Sequence, residues 1–284
     1  MLATTSKEVT KSEATAWFYV SRQAYYQALK RKHLKDAENQ LVVELVQGIR
    51  RKHPRMGGRK MHDKLRSPMA SLGILRGRDS FFDILRHHDL LVKPKRSGHR
   101  TTYPGFLRFP NLIQDLEITH PNQVWVSDIT YITTEEGFVY LALITDLYSR
   151  FIVGYDISSS LAVEGAQRAL EKATQMALKN TEKKDLAGLI HHSDHGVQYT
   201  AYAYQDQLKD FSMKASMGEV GNCYDNAVAE RVNGILKNEY NLDALFLNLP
   251  HAQQAVQEIV WIYNYDRPHL SLDMATPADF YILI

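Results

Sequence analysis

Three acidic residues occupy positions where an ionised carboxylate has a chemical use. Asp128 lies within 124–132, a run that is apolar on both faces and therefore predicts a strand in the middle of a sheet. Asp194 follows the apolar run 186–190 and two histidines, at the end of another predicted strand. Glu230 lies on a predicted helix. A buried carboxylate is costly unless a cation lies beside it, so all three are candidate ligands of a divalent cation.

Each acid also has an ordinary structural explanation. Asp128 fits a hydrogen bond with Ser127 or Thr130, and Asp194 fits a turn or a helix cap. Glu230 fits a solvated helix face, which taken alone is the better explanation of that helix. The nearby histidines lack the spacing of a zinc site, and we interpret them as structural or as adjacent to DNA: His191, His192 and His195.

A lysine shares the helix face of Glu230. Lys237 is seven residues further on, about 20° short of two full helical turns. Asn226 and Asn233 belong to the same stripe, and Asp225 is a suitable N-cap. The apolar residues of the helix fall on the opposite side and predict a face packed on a core: Val228, Val232, Ile235 and Leu236.

The elements that must position these acids form an α/β pattern. Strands are predicted at 123–132, 137–146 and 150–158, followed by a helix at 162–179. A strand at 188–194, a helix at 201–210, a strand at 211–217 and the helix 223–240 come next. The order β-β-β-α-β-α-β-α is that of a ribonuclease-H-like fold, with a mixed five-stranded sheet and flanking helices. Asp128 then lies on the first strand, Asp194 after the fourth and Glu230 on the helix after the fifth.

Charge divides the chain into two parts. Residues 1–108 hold 23 Lys and Arg residues against 9 Asp and Glu residues, whereas residues 109–284 hold 11 against 23. The net charge of +2 conceals this asymmetry. A basic module joined to an acidic one favours nucleic acid as the partner of the first part, with a merely solubilising basic surface as the alternative.

The basic part is predicted to be helical. Residues 1–95 form the expected DNA-binding region, with helix-turn-helix units at about 8–33 and 37–90. Ser21 is a suitable N-cap for the second helix of the first unit, which presents Arg22 and Gln23 on its exposed side. A third helix is expected at 79–88, beginning at an Asp79 cap. The candidate phosphate contacts of the second unit are Arg51, Lys52, Arg55, Arg59 and Lys60.

Composition and the remaining segments complete the predicted organisation. Residues 96–120 form a linker or arm, 121–240 the catalytic core, and 241–284 a C-terminal helix and tail. A single cysteine, Cys223, excludes an intrachain disulfide and a cysteine zinc cluster. No secretion signal and no apolar run of about 20 residues is evident, which predicts a cytoplasmic protein.

Several motifs together resemble those of the insertion sequence 3 family of transposases, within the wider group of DDE transposases and retroviral integrases. They are PNQVWVSDITYI (121–132), LITDLYSRFIVGYDIS (143–158), HHSDHGVQYT (191–200), GNCYDNAVAE (221–230) with Lys237, and YNYDRPHLSLDMATPADF (263–280). The resemblance covers nearly all of 120–284. More loosely, HPRMGGRKMHDKL (53–65) is similar to the second helix-turn-helix segment of the family. Arg231-Val232 departs from the two aromatic residues usual after the glutamate, and Ser216-Met217-Gly218 from the usual Ser-Met-Ser.

The resemblance implies an enzyme that binds element ends, cleaves their 3′ ends and transfers the strand to target DNA. Asp128, Asp194 and Glu230 would be catalytic and would bind Mg²⁺, with Mn²⁺ as a substitute. Lys237, Arg231 and Asn233 would lie along the DNA. The implied partners are terminal inverted repeats, target DNA and at least one further copy of the chain, in association with the bacterial nucleoid. A nuclease without strand joining and an inactive DNA-binding regulator remain the alternatives.

Overall fold

The computed structural model describes residues 20–93, 106–179, 185–218 and 226–281. The chain divides into two compact units. The first takes the described residues up to Ile49 together with Lys64–Leu91, and the second takes Arg50–Asp63 together with the described residues from Val92 onwards. The segment 50–63 therefore interrupts the first unit in sequence but belongs to the second.

The first unit is helical and differs from the prediction at residues 33–37. Helix α1 runs without a break over Arg22–Arg50, so the second predicted helix and the one after it are a single element. The reason is local, because Leu34, Lys35 and Asp36 include no glycine or proline that would end a helix. Ser21 caps this helix as predicted, since its Oγ accepts a hydrogen bond from the Ala24 amide at 3.1 Å. The preceding helix of the predicted pair lies outside the described residues.

Two further helices complete the helical part. Helix α2 spans Gly58–Ser71, crossing from the second unit into the first, and helix α3 spans Arg78–His87. Asp79 lies in the first turn of α3 rather than at its N-cap, which is Gly77, so the predicted cap was wrong by two residues. The buried apolar residues of the first unit come from all three helices and include Val42, Val46, Leu65, Met69, Phe81 and Leu85.

The second unit is built on a five-stranded sheet in the order β3-β2-β1-β4-β5. The strands are β1 (Val124–Thr134), β2 (Gly137–Asp146), β3 (Ile152–Ser158), β4 (Ile190–Ser193) and β5 (Lys214–Met217). The first three form an antiparallel meander, and β4 and β5 add to the other side of β1 in parallel. This arrangement confirms the ribonuclease-H-like fold and places β1 in the centre.

Helices cover both faces of the sheet. Helices α4 (Val163–Leu178), α5 (Val197–Thr200) and α6 (Tyr202–Asp210) pack on the face that carries Ala142 and Ile144. Helices α7 (Ala227–Tyr240) and α8 (Leu249–Tyr265) pack on the face that carries Leu141 and Leu143. The tail adds a 3₁₀ turn at Leu270–Leu272 and helix α9 (Pro277–Tyr281). The alternation along β2 thus buries both sides of the sheet.

One glycine allows α4 to lie close to the sheet. A Cβ atom at Gly154 would lie 2.3 Å from the Ala169 carbonyl oxygen and 2.7 Å from the Ala173 Cβ. Only a residue without a side chain fits between β3 and α4 at this distance. Within the described residues, no helix is both long and apolar enough to cross a membrane.

Candidate active site

The parallel pairing of β1 with β4 brings two of the predicted acids together. Ser127 lies opposite Ser193 in the register, Asp128 is the next residue of β1, and Asp194 is the first residue after β4. Asp128 also lies opposite Leu143 of β2, so it is flanked on both sides by strands. Two carboxylates therefore converge where β4 ends, at the edge where open α/β sheets bind ligands.

Asp128 is held by two hydrogen bonds. Its Oδ1 accepts from the Ile129 amide at 2.9 Å, and its Oδ2 accepts from Asn233 Nδ2 at 2.7 Å. Burial, and then the neighbouring charge of Asp194, raise the pKa of Asp128 to about 7 against the lowering effect of these hydrogen bonds. Glu230 adds a smaller raising effect on the same pKa. Asp128 is thus a carboxyl group that ionises reluctantly without a cation beside it.

Asp194 is positioned by the turn that follows β4. Its Oδ1 accepts a hydrogen bond from the Gly196 amide at 2.9 Å. A Cβ atom at Gly196 would lie 3.0 Å from that same oxygen, so glycine leaves room for the carboxylate. The Nε2 atom of the adjacent His195 lies 2.7 Å from the Gly218 carbonyl oxygen.

Helix α7 turns a polar side towards the two aspartates. Asn233 is buried and donates to Asp128 directly. Lys237 is half-buried, and burial lowers its pKa against the raising effects of Asp128 and Asp243. Glu230 is exposed in the first turn of the helix, and Arg231 beside it is exposed as well. The N-cap position is Asn226, whereas the predicted cap Asp225 lies outside the described residues.

The described residues contain no group of three His, Cys, Asp or Glu side chains close enough to hold one metal ion. Asp128 and Asp194 are adjacent, but Glu230 does not lie close enough to them to complete a group of three carboxylates. The oxygens at hand still suit a hard divalent cation, because two carboxylates lie beside the buried Asn233 Oδ1, which has no hydrogen-bond partner among the described residues. The donor set fits such an ion, with Asp128 and Asp194 as its core.

The competing polar residues are engaged elsewhere. Asp146 is buried in the turn after β2, where it accepts from the Asn122 and Ser149 amides and from the Ser149 hydroxyl. His191 is buried against the hydroxyls of Ser127 and Tyr204, and burial lowers its pKa to about 3. His192 is buried, with its Nδ1 2.9 Å from the Ser216 hydroxyl. These histidines hold the sheet and its helices together, as their spacing indicated.

The predicted DNA contacts of the basic region fall into two groups. Arg22 and Gln23 are exposed at the start of α1, and the segment 50–63 exposes Arg51, Lys52 and Arg59. Two other cations of that segment are already engaged. Arg55 is half-buried and donates to the Lys93 carbonyl at 2.6 Å. Lys60 is buried, and its Nζ lies 2.6 and 2.9 Å from the two carboxylate oxygens of Glu239.

Sequence reasoning missed two features. One is the hydrogen bond that Asn233 gives to Asp128, although the shared stripe of Asn233 and Glu230 was a usable signal. The other is Glu239, which binds Lys60 and also accepts two hydrogen bonds of 2.9 Å from Arg267. No local pattern marks Glu239, because its partners lie far away along the chain.

Comparison with known proteins adds the family. Residues 118–223 match the integrase core domain, and residues 212–277 match a second integrase core domain family. The insertion element IS600 uncharacterized 31 kDa protein of Shigella sonnei is 37% identical over 93% of this chain and 95% of its own length. The transposase for insertion sequence element IS904 of Lactococcus lactis is 31% identical over 88% of this chain and 97% of its own length.

Two other proteins show more partial likenesses. Transposase InsF for insertion sequence IS3A of Escherichia coli is 39% identical over 55% of this chain and 53% of its own length. The catalytic core domain of the HTLV-2 integrase, solved in complex with magnesium, has a TM-score of 0.44 at 20% identity. That likeness covers 57% of this chain and 97% of the integrase domain.

A ribonuclease-H-like sheet with paired aspartates, within an integrase core domain, defines a DDE polynucleotidyl transferase, an enzyme class that acts on DNA and depends on divalent metal ions. The chain belongs to the insertion sequence 3 family of transposases. Its activity is accordingly DNA transposition.

Proposed function

We propose that this transposase binds the terminal inverted repeats of its element, cleaves their 3′ ends in a Mg²⁺-dependent reaction and transfers the freed strands to target DNA. The observation that carries the proposal is the pair of carboxylates, Asp128 within β1 and Asp194 directly after the neighbouring end of β4. Helix α7 places the amide of Asn233 against this pair. A strand-transfer reaction brings two element ends together, so at least a dimer acts on DNA.

Asp128, Asp194 and Glu230 are the residues that would hold the metal. When bound, Mg²⁺ supplies charge neutralisation at the scissile phosphate, activation of the attacking oxygen and stabilisation of the leaving oxygen. Mn²⁺ offers the same octahedral oxygen chemistry and would substitute. Burial, followed by the charge of the neighbouring Asp194, raises the pKa of Asp128 in the free protein, and a bound cation would offset both effects.

The remaining side chains would orient the reactants. Asn233 fixes the carboxylate of Asp128 through its Nδ2, and Lys237 offers a cation to the DNA backbone near the same acid. Arg231 extends the cationic surface of α7 beside Glu230. The exposed Arg22 and Gln23 of α1 and the exposed cations of segment 50–63 would contact the element ends.

Two successive displacements describe the chemistry. In cleavage, a water oxygen bonds to the phosphorus at the element end, the bond to the leaving 3′ oxygen breaks, and a free 3′-hydroxyl results. In transfer, that hydroxyl bonds to a target phosphorus and an equivalent bond in the target strand breaks. Each step replaces one oxygen on phosphorus by another, from water in cleavage and from the 3′-hydroxyl in transfer, and the proton lost by the attacking oxygen is balanced by the one gained by the leaving oxygen. No bond to the enzyme forms in either step.

Removal of each acid tests this function. We expect Asp128→Asn, Asp194→Asn and Glu230→Gln each to lower cleavage of a duplex copied from the DNA flanking the gene by at least about a thousandfold. DNA affinity, measured by fluorescence anisotropy, should remain within a fewfold of the original. Glu258→Gln, an exposed acid on α8, is the matched control and should cleave normally. Normal strand transfer by any of the three variants would refute the assignment.

A further inference from the structure

A buried ion cluster lies at the far end of the helix that carries Glu230. The carboxylate of Glu239 binds Arg267 through two hydrogen bonds of 2.9 Å and Lys60 at 2.6 and 2.9 Å. Lys60 is 6% exposed and Arg267 is 3% exposed, so neither is free to contact DNA. Two cations share one carboxylate away from solvent, and these interactions lower the pKa of Glu239 although burial alone would raise it.

The same stretch of chain is anchored a second time on the last turn of α7. The Arg55 amide donates to the Glu239 carbonyl at 3.2 Å. His53 is 1% exposed, and its two ring nitrogens lie 3.0 Å from the Tyr240 hydroxyl and 3.0 Å from Asp266 Oδ2. Met56 and Met61 of the segment are fully buried. Segment 50–63 is therefore packed into the catalytic unit by ionic, hydrogen-bonding and apolar contacts.

These contacts lie at the C-terminal end of α7, beyond the residue that faces the active site. Glu239 follows Glu230 by nine residues, which at about 100° per residue places it half a turn round the helix. Asn233 contacts Asp128, whereas Glu239 and Tyr240, six and seven residues further along, contact segment 50–63. A shift of this segment would therefore rotate or slide the helix that carries the catalytic glutamate.

We propose that Lys60, Glu239 and Arg267 form a clip whose role is to position α7, and with it Glu230, Asn233 and Lys237, for the transposition reaction. Lys60 is then a positioning residue rather than a phosphate contact. The inference rests on the proposed function for its catalytic consequence. It removes Lys60 from the phosphate contacts predicted for 50–63, because that lysine is buried against Glu239.

Segment 50–63 also stands at the chain crossings between the two units. The chain passes between the units at 49/50, 63/64 and 91/92, and two of these three crossings are the ends of this segment.

Two conservative neutralisations test the clip in the full-length protein. Lys60→Met removes one of two cations from a cluster with an excess positive charge, so the remaining Glu239–Arg267 pair should keep the variant folded. Glu239→Gln removes the shared anion. The matched control is Asp156→Asn, because Asp156 is 7% exposed and also binds two cations, Arg168 at 2.7 Å and Lys172 at 2.8 Å. Asp156 lies on β3 and contacts α4, away from α7.

We expect Lys60→Met and Glu239→Gln each to lower the single-turnover cleavage rate at saturating DNA at least tenfold. The double variant should be no slower than the slower single one, since both changes open the same clip. The dissociation constant and its salt dependence should stay within twofold, and Asp156→Asn should cleave at the original rate. Lys60→Arg, which keeps the charge, should recover most of the rate.

Hydrogen exchange separates failure of the clip from failure of the proposed function. Amides of 232–240 should exchange faster in Lys60→Met than in the original protein, and their exchange rates should be unchanged in Asp156→Asn. Both results are expected whether or not the original protein cleaves the duplex. Weaker DNA binding by Lys60→Met, with a shallower salt slope and an unchanged saturated rate, would restore Lys60 as a phosphate contact and overturn the clip. So would unchanged exchange in α7, or equal loss of rate in the Asp156→Asn control.

Discussion

At the scale of single residues, Asp128 controls how the site responds to pH. Burial and Asp194 raise its pKa to about 7, so a proton and a metal ion compete for the same carboxylate. We expect the affinity for Mn²⁺, measured by titration calorimetry, to rise about tenfold per pH unit up to about pH 7 and to level off above it. Asp128→Asn should bind weakly with no such slope. An affinity independent of pH in the original protein would contradict the assignment.

The same shift has a consequence for stability. Because the folded pKa of Asp128 lies above the ordinary value of 3.8, its contribution to the free energy of unfolding is complete below that value and is lost as the pH rises through about 7. The metal-free protein should therefore lose melting temperature as the pH rises from about 4 to about 7, with no further loss from this group above that range, and added Mn²⁺ should restore it near pH 7. The Asp128→Asn variant, which cannot ionise at this position, is the control.

The sequence alone predicts the position of a residue in the fold more readily than its hydrogen-bond partner. The run around Asp128 is apolar on both faces, and only a central strand buries both faces, so its position was predictable. The partner of Asp128 was not, because Asn233 lies 105 positions away and helical periodicity gives the side it faces but not the atom it contacts. The burial of Lys60 was unpredictable for the same reason. A lysine in a basic run has the pattern of a surface residue, and its partner Glu239 lies 179 positions away along the chain.

At the scale of elements, the contact of α4 with β3 should be the least tolerant of added volume. We expect Gly154→Ala to lower the free energy of unfolding by about 3 kcal/mol or more, because its Cβ would lie 2.3 Å from the Ala169 carbonyl oxygen, a backbone atom that cannot rotate away. Gly234→Ala is the control. Its nearest atom is the Asn238 side-chain nitrogen at 3.9 Å, so helix propensity should stabilise this variant by about 0.5–1 kcal/mol. Chemical denaturation measures both, and equal stability of the two variants would contradict the close packing.

Elements of strong periodicity were predictable, whereas their joints were not. The meander of the first three strands follows from their short connections, whereas the five-stranded sheet was expected from the ribonuclease-H-like order of strands and helices. The continuity of α1 through residues 33–37 did not follow, since a short polar stretch suggests a turn even when every residue in it is compatible with a helix. Predicting a break from polarity alone therefore gave one helix too many.

At the scale of the whole molecule, the charge asymmetry should be visible in DNA binding. Replacement of the exposed Arg51, Lys52 and Arg59 by alanine should reduce the slope of log K against log salt by about 2.7, because each phosphate contact contributes about 0.9. The control is Lys209→Ala, an exposed cation of α6 paired with Asp206, which should leave the slope unchanged. Fluorescence anisotropy over a salt series measures both. An unchanged slope in the triple variant would place the DNA elsewhere.

The position of segment 50–63 also limits how parts of such a chain can be exchanged with those of a relative. A chimera joined near residue 95 would bring a foreign Lys60 to the native Glu239 and Arg267, and a foreign His53 to the native Tyr240 and Asp266. A graft of new end specificity therefore needs two junctions inside the helical region, at about residues 49 and 64, so that the recipient retains its own segment. Recombination between relatives would be subject to the same constraint, because any single crossover between this segment and Glu239 separates the segment from its native partners.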